Sequence, residues 1–352
     1  MLNGGCAADA AWPKGALDRR AHYGHSQNVE TTSNQNEHAQ EAHWPSLPLN
    51  EWRSTYETLH RWTQIVGKTR LQLAPYQNHW WHCTLYLSAR GLTTSPIPAG
   101  LRLFEVEFDF LSHQLVVRTS EGATRTMELA PRSVSDFYNE YIALLHSLRI
   151  EPHIWPVPNE LTDTLRFDQD RLHADYDGAA AKRCWRILYQ ADSVLKQFRG
   201  QFVGKCSPSH FWWGAFDLAC TRFSGRRAPT HPGGVPNLPD DVTREAYSHE
   251  CISAGWWPGS VAGPMAEPAF YAYAYPEPAG CALAPVMPDA AYYHPELREW
   301  ILPYDAVRNA ADPAASLLQF LESTYAAAAT LGNWDRAALE RAQDDQKSAR
   351  IA

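Results

Sequence analysis

No apolar run reaches the roughly eighteen residues that a membrane-spanning helix needs, so no transmembrane helix is expected in this chain. The opening stretch "MLNGGCAADAAWPKGALDRR" lacks the apolar core of a signal peptide, which points to a cytoplasmic location. Cysteine occurs seven times, an odd count without a CxxC pair. That removes the usual zinc knuckle and favours free thiols in a reducing compartment. No HExxH is present. A surplus of basic charge is missing as well, and the formal charge of −8 disfavours a broad phosphate-binding surface and, with it, nucleic acid as a partner.

What remains is the composition of a globular protein, with 45% hydrophobic and 20% charged residues and as many as 14 Trp among 352 residues. Aromatic mass of that size has to be packed in a core or stacked on a ligand. Residues 1–42 are polar, carry no apolar period and read as a disordered tail, its histidines His22, His25 and His38 included. Residues 341–352 read as a polar C-terminal tail.

Order is expected from "HWPSLPLNEW" onward. Asn50 is a plausible cap for a helix bearing Trp52, Tyr56, Leu59, Thr63 and Val66, which Gly67 would close. The segments "HWWHCTLYLSARG", "RLFEVEFDF", "QLVVRTS" and "TRTMELA" alternate as strands do, and Ser133 then caps a helix with Val134, Phe137 and Tyr141 on one face. The second half repeats this order. Its helix carries Ala181, Trp185, Leu188, Ala191, Leu195 and Phe198 and ends at "QFVGK", as the first ended at "QIVGK". Strands at "HFWWGAFDLACTRFSG", "EAYSHECISAGWW", "PAFYAYAYP" and "REWILPY" follow, and Asp312 and Pro313 start a last helix closed by Gly332.

The expected fold is therefore α+β: an internally duplicated β-α-β4-α unit, residues 43–150 and 151–340, with antiparallel sheet and helices on one side. Such a tandem resembles the TATA-binding protein in topology, where two units join into one curved sheet. That likeness carries no function.

Several constellations carry candidate chemistry. In a regular strand, "HWWHC" places His79 and Trp81 on one face and Trp80 and His82 on the other. "KCSPSHFWWG" sets Lys205, Cys206 and His210 together, and a thiol beside a cation gains thiolate character. His210, His231 and His249 with Glu245 or Glu250, and His79 from the first half, have the donor types for Zn, Fe or Mn. "FEVEFDF" sorts Phe104, Val106, Phe108 and Phe110 inward and Glu105, Glu107 and Asp109 outward. In "AFYAYAYP", Tyr271, Tyr273 and Tyr275 share a face. If that face is open, they form a stacking wall with Trp212 or Trp213 and Trp256 or Trp257; if it is closed, they are core. Arg222, Arg226 and Arg227 are candidate anion clamps.

The strings "NHWWH", "TSPIP", "VGKCSPSHFWWGAFDLACTRFSGRRAPTHPGG" and "REAYSHE" resemble a bacterial family known as domain of unknown function 5996, over about residues 43–340. The resemblance implies a recurring globular unit and brings no activity, cofactor or catalytic residue. The residues themselves lean to an enzyme using a divalent transition metal. His210, Glu250, Cys206 and Lys205 are its catalytic candidates, and Tyr271, Tyr273, Trp212 and Arg222 its binding candidates. His79, His210, His231 and His249 are the candidate metal ligands. The alternative is a non-catalytic small-molecule sensor that uses the Tyr and Trp wall.

Overall fold

The computed structural model describes residues 43–260, 263 and 265–342; the expected N-terminal tail, with Cys6, lies outside the described residues. The chain runs through α1 (Leu49–Leu73), β1 (Tyr86–Leu87), β2 (Gly91–Thr93), β3 (Ile97–Ala99), β4 (Arg102–Asp109), β5 (Gln114–Thr119), β6 (Thr124–Glu128) and α2 (Val134–Ser147). It continues with α3 (Gly178–Gly200), β7 (His210–Trp212), β8 (Asp217–Arg227), α4 (Asp240–Ala246), β9 (His249–Trp257) and β10 (Ala269–Tyr275). The last elements are β11 (Tyr292–His294), β12 (Glu299–Pro303), α5 (Tyr304–Arg308), α6 (Pro313–Leu331) and α7 (Arg336–Leu339).

This is an α+β protein with two antiparallel sheets. One runs β1-β2-β4-β5-β6 with β3 paired to β4, the other β11-β12-β10-β9-β8-β7. Just ahead of β1, Leu85 exchanges two backbone hydrogen bonds with Phe211 of β7, at 3.0 and 2.9 Å.

Strand alternation builds the second sheet's two faces. Leu218 and Cys220 of β8, Ile252, Ala254 and Trp256 of β9, Phe270 and Ala272 of β10, and Trp300 and Leu302 of β12 join the main core. On that side lie α3 and α6, whose Leu188, Leu195, Phe198, Leu317 and Phe320 are buried. The alternate residues of the same strands, among them Asp217, Ala219, Thr221, Tyr271 and Tyr273, face away from these helices.

α1 departs from the expected helix in an informative way. It continues past Gly67 to Leu73, because Gly67 is where the Trp213 ring lies on the helix and a Cβ would overlap that ring. Its apolar face is as expected, with Trp62 stacked on Phe137 at 4.6 Å between ring centroids. A second stripe, His60, Gln64 and Lys68, is polar and also buried, one residue per turn.

"HWWHC" is not a strand. Asn78–Trp80 form a 3-10 turn, with His79 and Trp80 at φ of 57° and 61°. The turn is held by tertiary bonds: Glu245 accepts the His79 backbone N–H at 3.1 Å and the Tyr76 hydroxyl, and Cys83 N–H reaches Trp80 O at 3.1 Å. Trp80 and Trp212 thus stand on a turn and at a strand end rather than at matching strand positions. "EAYSHE" also splits, its first residues finishing α4 and β9 starting only at His249. "FEVEFDF" forms β4 with its phenylalanines inward as expected. Its outward Glu107 and Asp109 are buried in ion pairs with Arg118 and Arg90.

Candidate functional site

The face of the second sheet that does not pack on α3 and α6 floors a cavity of about 1120 Å³. Asp217, Ala219, Thr221 and Phe223 of β8 contribute to it, with Cys251, Ser253 and Trp257 of β9, Tyr271 and Tyr273 of β10, and Glu299 of β12. The walls are Lys68 and Leu71 of α1, the His79–Trp81 turn, residues 155–160, the Trp213–Ala215 turn and the segment from His231 to Tyr247. Trp155, 70% exposed, stands at its edge. A volume of this order suits an organic ligand of drug size or larger.

The buried polar stripe of α1 positions two of these walls. His60 Nε2 donates to the carbonyls of Trp213 and Gly214, at 3.1 and 2.9 Å, so that nitrogen carries the proton. Burial keeps the ring neutral, lowering its pKa to about 4. One turn on, Gln64 donates to Asn159 O at 2.9 Å and accepts from Asn159 N–H at 2.8 Å. Another turn on, Lys68 donates to Asn159 Oδ1 and lies 5.7 Å from the Trp213 ring centroid; burial pulls its pKa down to about 8. Three side chains spaced by four residues thus hold both the 213–214 turn and the approach to Glu160.

Three carboxyl groups line the cavity. Asp217, 8% exposed, accepts a hydrogen bond from the Tyr271 hydroxyl at Oδ2, and burial pushes its pKa up to about 7. Glu160 is raised to about 7 by burial and then by Asp217, and Glu299 to about 7 by the same two causes. Glu160 sits at φ 60° against Gly214, where a Cβ would overlap its carboxylate. Among the described residues no Lys or Arg is paired with any of the three. Around them the Tyr247 and Tyr273 hydroxyls are 2.8 Å apart, and those of Thr221 and Ser253 3.0 Å. The site can therefore exchange protons near neutral pH, donate and accept hydrogen bonds, and stack a flat body on Trp and Tyr rings.

Of the residues singled out from sequence, Trp212, Tyr271, Tyr273, His79 and His231 line this cavity. Trp213 and Trp257 do so too, whereas Trp256 belongs to the core. His231 stacks on Tyr247 at 4.7 Å, and its Nδ1 accepts the Gly233 N–H at 3.0 Å. His79 Nδ1 lies 3.1 Å from Ala246 O and must carry the proton, which leaves Nε2 to accept from Lys205 Nζ at 2.6 Å. Burial and then the Lys205 charge lower the His79 pKa. Lys205 also lies over Trp81 and Phe223, at 5.3 and 4.9 Å.

The remaining candidates lie off the cavity. His210 is buried among Trp81, Tyr86 and Trp212, and burial, followed by Arg70 and Arg199, depresses its pKa to about 3. His249 lies beside His79, ring centroids 6.0 Å apart, with Nδ1 3.1 Å from Ser248 Oγ. Glu250 is bound to Arg226 and Ser224. Cys206 lies 3.5 Å, sulfur to sulfur, from Cys220 on the helix side of β8. Arg222 is no anion clamp: it is 1% exposed, sandwiched by Phe198 and Tyr325 at 3.4 and 4.2 Å, and bonded to Phe198 O. The expectation of a histidine metal centre is likewise corrected, since no group of three or more His, Cys, Asp or Glu among the described residues is placed to hold a metal ion. His79 stands on a turn beside His249, whereas His210 lies among Trp81, Tyr86 and Trp212 and His231 on Tyr247, so the four rings do not converge.

Asp217, Glu160, Glu299 and Lys68 were not among the residues singled out from sequence. A signal existed for Asp217, Ala219 and Thr221, a small and polar face at period two within an otherwise apolar strand. Glu160 and Glu299 stand at a loop and a strand start, where charge is ordinary.

Comparison with curated proteins and with solved structures found no match. The profile of the Family of unknown function (DUF5996) matches residues 44–341, nearly the whole described chain, and the protein belongs to that family.

Proposed function

We propose that the cavity is the active site of an acid–base enzyme acting on a small organic molecule, with Asp217, held by Tyr271, as the proton-exchanging group. The observation that carries this reading is the placement of Asp217, Glu160 and Glu299 in one aromatic-lined cavity without a cation to neutralise them. Carboxyl groups poised at about 7 can give or take a proton at neutral pH, which ordinary surface carboxylates cannot do efficiently. Glu160 and Glu299 then serve as the second acid or base. Tyr271, bonded to Asp217, fixes the orientation of its carboxylate.

The same reading places the site at the junction of two related halves, residues 43–150 and 151–340, as in the tandem topology expected from sequence. Support comes from the repeated order of long helix, six strand segments and helix, and from the Leu85–Phe211 bridge between the sheets. Lys68, Leu71 and the His79–Trp81 turn are then the contribution of the first half.

The test is to incubate purified protein with a small-metabolite extract and to follow by mass spectrometry which compound is consumed. Asp217→Asn, which preserves shape, should abolish consumption while the compound still raises the melting temperature. An extract left unchanged by the wild type, or a turnover indifferent to Asp217→Asn, sinks the assignment.

A further inference from the structure

Elsewhere this protein pairs the carboxylates it buries. Asp170 lies 3.2 Å from Arg61 and 2.8 Å from His173, and Glu107 lies 2.7 Å from Arg118. That is the ordinary solution, because an uncompensated buried charge is costly. In the cavity three carboxyl groups, Asp217 buried and Glu160 and Glu299 partly buried, stand without such a partner among the described residues. The lysine that shares the cavity, Lys68, is committed to Asn159 and to the face of Trp213.

The walls add a second, independent observation. Trp212, Trp213, Trp257, Tyr271 and Tyr273 surround the site. Aromatic faces carry negative electrostatic potential, so they repel an anion and attract a cation. Placing them around three carboxylates reinforces the negative sign, which Lys68, the single lining lysine among the described residues, only partly offsets. Among the described residues no group of three or more His, Cys, Asp or Glu, these carboxyls included, is placed to hold a metal ion. A larger cation, with an apolar body to cover the rings, meets both conditions.

We infer that the ligand of this cavity is an organic cation, an amine or quaternary ammonium joined to an apolar or aromatic body. The charged head lies among Asp217, Glu160 and Glu299, and the body along the Trp and Tyr rings. This inference rests on the cavity being a ligand site, as proposed above, and adds the charge and class of the ligand.

Calorimetry on the full chain at pH 8 tests it, using 2-phenylethylamine, tryptamine and benzyltrimethylammonium, each beside its alcohol and carboxylate counterpart. The expected result is that at least one cation binds about tenfold or more tighter than its neutral counterpart, the carboxylates binding weakest. Glu299→Gln and Glu160→Gln should each weaken the cation about tenfold and leave the alcohol unchanged, in variants that melt no lower than the wild type. Should either variant fail to fold, the comparison of counterparts on the unaltered protein decides alone. Alcohols or carboxylates binding as tightly as the cations overturn the inference while leaving the cavity a ligand site. If no member of any series binds, both readings fall together.

Discussion

The Tyr271 hydroxyl reaches Asp217 across a whole intervening strand, passing over Gly255. Tyr271 of β10 pairs with Gly255 of β9, and Gly255 pairs in turn with Ala219 of β8. A Cβ at position 255 would meet the Tyr271 hydroxyl at 2.7 Å and overlap the carbonyl of Leu218. The absent side chain is what lets a tyrosine from one strand serve an aspartate two strands away.

Gly255→Ala should therefore displace Tyr271 and release Asp217. A backbone oxygen is one of the obstructed atoms, so relief requires a strand shift, and the cost should be about 1–3 kcal/mol in urea unfolding. Ligand binding should weaken along with stability. A variant as stable as the wild type, with binding intact, would show that the tyrosine does not depend on this gap.

Stability should depend on pH through the cavity carboxyls. Asp217 has its pKa raised from 3.8 to about 7 in the fold, so the folded state holds more protons than the unfolded one between those values. Its contribution is full below about pH 4 and lost as pH rises to about 7; Glu160 and Glu299 act in the same direction. Facing them, Tyr271, Tyr273 and Tyr247 have raised pKa values and stay neutral, and Lys68, lowered to about 8, titrates at the upper end of the range. His79 and His231, with lowered pKa values, act oppositely. Comparing wild type with Asp217→Asn cancels those histidines. Between pH 4.5 and 8 the variant should gain on the wild type by on the order of 1–3 kcal/mol. Parallel melting curves across that range would contradict the burial of this group.

Glycine within a helix is ordinarily improved by alanine, by about 1 kcal/mol. At Gly67 the sign should reverse, because the added methyl overlaps the Trp213 ring, which is itself fixed by its Nε1 donating to Cys83 O at 2.7 Å. We expect Gly67→Ala to cost about 1–3 kcal/mol and to perturb tryptophan fluorescence. At the end of α3, Gly200 has open space where its Cβ would stand, and Gly200→Ala should be neutral or stabilising. Equal effects at the two positions would refute the packing argument.

Cys206 should be the reactive thiol among the described cysteines. The hydrogen bond with the Cys220 thiol, and then Arg199 and Arg222, favour its thiolate and lower its pKa to about 7. Burial instead raises Cys83, Cys184 and Cys251. Alkylation with iodoacetamide, mapped by mass spectrometry, should label Cys206 with a rate rising through pH 7. Cys220→Ala should shift that midpoint upward. Labelling of Cys184 or Cys251 first would contradict the assignment.

How much of this was legible beforehand can be read from particular elements. The helix with Trp185, Leu188 and Phe198, the cap at Asp312, and β4 with its inward phenylalanines follow from spacing alone, because one buried face imposes a period on the chain. The tyrosine face of β10 was legible as a face. Whether it opened on a cavity or a core was not, since that depends on what remote segments cover it. The turn at His79 was illegible for a related reason: its geometry is held by Glu245, more than one hundred and sixty residues away.

The sequence by itself determined the α+β class, the antiparallel strands, the helix faces and the family, since local periodicity and motif strings suffice for these. Only the tertiary structure decided which polar groups work together. Asp217, Glu160 and Glu299 are unremarkable as letters in a row, and become a site because β8, β12 and the segment before α3 meet at one cavity. Burial and missing counter-charge, which give such groups their chemistry, are properties of neighbours in space.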